Sequence, residues 1–87
     1  MFKNKGETGK NNICGEKIAH LRMQMIPKTS QRQLADRMLL IGIDMDKNAI
    51  QRIESGKRFL TDIEIIAFCR VFDISPNELF DYDEEGI

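Results

Sequence analysis

No apolar run in this chain approaches the roughly 20 residues that cross a bilayer, and no hydrophobic signal-peptide core stands near its start. Tryptophan is absent, and there is one histidine. A single histidine leaves no Ser/His/Asp set. There is no glycine-rich phosphate loop, and the pattern creates no cleft with paired carboxylates. An enzyme is therefore not expected. His20, without partners, reads as a surface residue. Cys14 and Cys69 are far apart and fit no metal spacing, which points to a reduced, cytoplasmic setting rather than a disulfide scaffold. Asp44-x-Asp46-x-Asn48 followed by Glu54 is a poor calcium loop. Counted from Asp44, the sixth position is Ala49 instead of glycine, and the twelfth is Ser55 instead of an acid. No metal or cofactor is implied.

What is present is charge, unevenly spread. Residues 1–60 hold 12 Lys/Arg against 6 Asp/Glu, and residues 61–87 hold 1 against 8. The formal net charge of −1 thus hides a basic front and an acidic back. That division suits a protein meeting a polyanion on one side only. At 87 residues the chain reads as one domain. Residues 1–12 are polar and rich in Gly, Asn and Lys, with too little apolar surface to offset their ordering entropy, and are expected to be a disordered arm. Residues 13–80 form the domain, and residues 81–87 an acidic tail.

Within the domain the period is helical. Ile18, Leu21 and Met25 repeat at three and four, predicting a helix from about Ile13 to Met25 that Pro27 ends. Ser30-x-x-Gln33 is a capping box, with Leu34, Ala35, Met38 and Leu39 as the stripe behind it and Gly42 as the stop. Asp46 caps a short helix carrying Ile50 and Ile53, closed by Gly56. Thr61-x-x-Glu64 opens a fourth helix with Ile65, Phe68, Cys69 and Phe72 inward. Cys69 on that stripe reads as a small buried hydrophobe. Ser75-Pro76 opens a last one, with Leu79 and Phe80 packing back. Five helices and no strand signal give an all-α compact bundle.

The third helix leaves Lys47, Asn48, Gln51 and Arg52 off its narrow apolar stripe. All four types read base edges or phosphates, and a solvated face is the bland alternative. Asn48 can pair bidentately with adenine, and Lys47 and Arg52 can reach guanine acceptors. Gln51 can take a base or a phosphate. Gln31, Lys57 and Arg58 are candidates for phosphate contacts.

In order along the chain, S-Q-x-x-L-A at Ser30–Ala35, I-x-x-I-E-x-G-K-R at Ile50–Arg58 and I-S-x-x-E-L-F at Ile74–Phe80 resemble the lambda-repressor-like (Cro/XRE) helix-turn-helix family over about residues 14–80. The resemblance implies a five-helix lambda-repressor-like DNA-binding domain whose second and third helices form the helix-turn-helix. It implies a transcriptional regulator of double-stranded DNA, of the phage or mobile-element repressor type, acting as a homodimer on a pseudo-palindromic operator. It also implies an ion pair between Arg22 of the first helix and Glu54, which precedes the glycine. Two other readings stay open: an antitoxin-like protein that also binds a toxin, and an interaction module without DNA binding. The sequence departs from the family pattern at Pro27-Lys28 and, by about five residues, at Met38–Met45. There a long apolar segment replaces the tight turn. A dimer surface is expected from Ile63, Ile66 and Val71, which cannot all share the core face of the fourth helix, joined by Tyr82 and Ile87.

Overall fold

A computed structural model describes residues 10–80. Among them are five helices and no strand: α1 (Gly15–Met23), α2 (Gln31–Leu40), α3 (Lys47–Glu54), α4 (Asp62–Phe72) and α5 (Pro76–Leu79). Helix starts follow local chemistry. The Ser30 hydroxyl accepts from the Gln33 amide, and the Gln33 side chain accepts from the Ser30 amide. Thr61 and Glu64 repeat this reciprocal box on α4. Asp46 accepts from the Ala49 amide at 2.8 Å, and Ser75 from the Glu78 amide. Each cap satisfies an amide that has no partner inside its helix.

Three helices stop in the same way. After α2, Ile43 N–H reaches Met38 O and Gly42 N–H reaches Leu39 O, with Gly42 at φ 91°. After α3, Lys57 N–H reaches Arg52 O and Gly56 N–H reaches Ile53 O, with Gly56 at φ 81°. After α4 the left-handed position is held by Asp73 at φ 56°, while Ile74 N–H bonds Cys69 O. All three are Schellman stops. Aspartate can fill the third because its short polar side chain tolerates that region better than most.

Ile18, Leu34, Met38, Ile50, Ile53, Phe68 and Leu79 are completely or almost completely buried in a single core. Every helix contributes to it, and α3 lies against α1 and α2. Phe68 and Phe72 stack with ring centroids 6.2 Å apart. On α4 the fully inward residues are Ala67, Phe68 and Cys69, while Ile65, Phe72 and Val71 are half-buried against them. Val71 therefore belongs to the core margin and not to a free surface, which corrects its expected place in a dimer patch. Tyr82, Ile87 and the rest of the acidic tail lie outside the described residues, as do residues 1–9.

The first helix is shorter than its periodicity predicts. Ile13 lies outside it and is exposed, and Gln24 ends it before Pro27 is reached. The long segment after α2 resolves into one extra helical stretch to Leu40, the Gly42 stop, and an extended run to Asp46. Met38 and Met45 enter the core, whereas Leu39, Leu40 and Ile41 stay exposed.

Candidate nucleic-acid interface

Helix α3 separates its two roles cleanly. Ile50 and Ile53 are fully buried, and Lys47, Asn48, Gln51 and Arg52 are all exposed. Six hydrophilic or small residues surround two isoleucines on eight positions, so burying the stripe turns the polar side chains outward. Lys57 is exposed just beyond the Gly56 stop.

The base of α3 is held by a charged cluster. Arg22 Nε donates to Glu54 Oε2 at 2.7 Å and Arg22 Nη2 to Glu54 Oε1 at 3.0 Å, a two-pronged pair with side chains 14% and 7% exposed. Arg22 Nη1 also donates to Thr29 O, which ties α1 to the start of α2. Gln31 Nε2 donates to Glu54 Oε1 at 2.9 Å. One carboxylate thus gathers donors from α1 and α2 and fixes where α3 ends. The Gln31 amide, read from sequence only as a phosphate ligand, spends one N–H on this cluster and keeps its second for an outside acceptor.

Arg58, expected among the phosphate contacts, keeps a side chain 32% exposed while its guanidinium forms a bidentate pair with Glu64, both bonds at 3.0 Å, and also donates to Phe59 O. Burial pushes the Glu64 carboxyl up, but the bonds from Arg58 and from Thr61 outweigh it and hold the group below the usual carboxylate range. Glu64 therefore serves two ends at once, the α4 cap and the loop cation. The sequence signal was present in the six-residue spacing across the loop, but Glu64 already had a local role in the capping box.

Residues 10–12, which fall within the expected arm, lie against the loop after α3. Asn11 N–H bonds Gly56 O at 2.7 Å, and its side chain donates to Lys57 O. The Asn12 side chain donates to Ile53 O and Arg58 O, while its oxygen accepts from the amides of Cys14 and Gly15. One asparagine thus caps the start of α1 and the end of α3 together. The stem of Lys10 lies over Gly56. These acceptors are carbonyls more than 40 positions away, so ordering entropy is offset by contacts that composition does not reveal. The backbone that presents Lys57 is stitched from this side.

The two thiols take no part. Burial, and secondarily Cys69, pushes the Cys14 thiol up to about 11, and burial raises Cys69 as well, so both stay protonated and unreactive at neutral pH. The described residues contain no group of acidic, histidine and cysteine side chains fit to hold a metal.

A buried-stripe helix with exposed Lys, Asn, Gln and Arg, set behind a capped α2 and locked at its base, is the geometry of a helix-turn-helix. A family model described as helix-turn-helix matches residues 27–79. The chain belongs to the lambda-repressor-like (Cro/XRE) helix-turn-helix family. No curated protein and no solved structure matches it. As a member of this family the protein is a DNA-binding helix-turn-helix regulator, with DNA as its partner. No helix among the described residues is long and apolar enough to cross a membrane.

Proposed function

We propose that this protein is a repressor of the phage or mobile-element type that inserts α3 into the major groove of a pseudo-palindromic operator as a two-fold homodimer. The observation that carries the reading is the exposure of the four polar positions of α3 over a fully buried isoleucine stripe. Lys47 and Arg52 reach guanine acceptors, Asn48 pairs with adenine, and Gln51 takes a base or a phosphate. Lys57 and the free N–H of Gln31 hold phosphates on either side. Arg58 positions the loop through Glu64 and leaves the phosphate set. Occupying an operator excludes polymerase, so repression requires nothing more than this interface. Two copies are favoured because a single short helix reads only about four or five base pairs, too few to stand out among genomic competitors.

Selecting bound duplexes from a random pool tests the readout. Asn48→Ala should cost about 1–3 kcal/mol of binding and relax the selected sequence at one base pair. An unchanged selected sequence would remove Asn48 from the base contacts. Lys57→Ala should behave differently, weakening all duplexes alike and flattening the salt slope by about one unit. A sequence-dependent loss would assign Lys57 to a base instead.

A further inference from the structure

A groove not explained by DNA contact lies between the segment after α2 and the exposed face of α4. It encloses about 370 Å³. Ile41 and Ile43 form one wall and Ile63 and Ile66 the other, with Asp62 and Arg70 also lining it. Ile63 is 67% exposed and Ile66 47%, and Leu40, next to the groove in the chain, is 86% exposed. A cluster of this kind on a small domain marks an interaction surface. Its first wall is built by the apolar segment between α2 and α3.

We infer that this groove is a self-association surface in which α4 of two copies packs antiparallel about a two-fold axis at Ile66. The inference rests on the dimeric reading above and names its interface. Asp62 lies four residues before Ile66 and Arg70 four after, so all three share one helix face. At 1.5 Å per residue the two charges lie about 6 Å to either side of the axis. A two-fold rotation through Ile66 brings Asp62 level with Arg70 of the second copy and Arg70 level with its Asp62. Two ion pairs then bracket a centre of isoleucines. A parallel arrangement would set like charges against each other. Neither Asp62 nor Arg70 has an ion-pair partner among the described residues, whereas Arg22, Glu54, Arg58 and Glu64 are all paired. A foreign partner would need the same charges in reversed order beside an apolar strip, and a second α4 already carries them. Such self-complementarity is what an isologous interface requires.

Sedimentation equilibrium of the full chain at low salt tests this. Asp62→Arg and Arg70→Asp should each weaken the dimer by about tenfold or more, because each sets like charges opposite one another. The double variant Asp62→Arg/Arg70→Asp should return to within about threefold of the parent, since the pairs are restored in reversed sense. Raising salt to about 1 M should weaken the parent dimer and leave the isoleucine contact as the remainder. Independently of any charge effect on folding, Ile66→Cys should form an intermolecular disulfide with its own copy when oxidised by added oxidised glutathione, being on the axis. Failure of the double variant to recover while its thermal melt remains that of the parent, or no cross-link through Ile66→Cys, overturns the interface. Titrating each variant with a single half-site duplex separates this from DNA reading. Parent-like half-site binding with no charge rescue discards only the surface, whereas a parent that ignores duplex DNA discards the function proposed above.

Discussion

Glu54→Ala should lower the unfolding free energy by about 3 kcal/mol in a urea titration. The substitution removes the carboxylate that faces the two-pronged guanidinium of Arg22 and the amide of Gln31. Arg22, only 14% exposed in its side chain, is then left with a cation whose one remaining bond goes to Thr29 O. Arg22→Ala strands the carboxylate in the same way, with Gln31 as its only side-chain donor. The double variant should cost much less than the sum, because neither charge is left unpaired. A coupling near zero in that cycle would make Glu54 an ordinary solvated acid. The functional signature also differs from that of the reading residues. Loss of the pair lets α3 shift as a body, so affinity should fall for every duplex alike, in contrast to the loss of preference at one base pair expected for Asn48→Ala.

Gly15→Ala should destabilise by a comparable amount, about 3 kcal/mol, near the upper end for forcing extra volume into a packed site. Helix propensity alone gives the opposite sign, since alanine in place of glycine favours a helix by about 1 kcal/mol. The contact decides. A Cβ at Gly15 would overlap Ile53 O and touch Glu54 O at 3.0 Å. Both atoms are backbone at the end of α3 and cannot rotate away. Helix α1 would have to move off the recognition helix and pull Asn12 from its acceptors. A higher melting temperature for Gly15→Ala would mean that α1 and α3 are not in this close approach.

The parts of the fold that were legible share one property, that their causes lie within about four residues of each other. Ser30, Asp46, Thr61 and Ser75 cap helices because a side-chain oxygen finds an amide three positions on. Gly42 and Gly56 end helices because they alone adopt the backbone angle cheaply. Asp73 ends α4 by the same geometry, but without a glycine it gives no comparable signal. The exposed face of α3 was legible for the same local reason, since two isoleucines three apart orient every other side chain of a short helix. The nearness of Arg22 and Glu54 came from the family resemblance alone, as nothing in a separation of 32 positions announces a contact. What stayed hidden was long-range or doubly used. Asn11 and Asn12 read as part of an arm because their partners are backbone carbonyls, which every sequence carries and none advertises. The pairing of Arg58 with Glu64 was hidden because Glu64 already had a task in the capping box. Of Ile63, Ile66 and Val71, the sequence said only that they could not all share the core face, and the packing of α4 against its neighbours told the half-buried Val71 from the exposed pair.

The bonds from Asn11 and Asn12 to the loop after α3 have a kinetic meaning. They join positions 41 to 46 apart, whereas the caps join positions 3 apart. Closing a loop of that length costs entropy that no local structure repays early, so these bonds are absent from the first productive encounters of the chain. Interactions made after the folding barrier has been crossed leave the folding rate almost unchanged and retard only the reverse step. The two asparagines therefore act as a latch on the finished domain: they lengthen the lifetime of a recognition helix whose formation they do nothing to hasten.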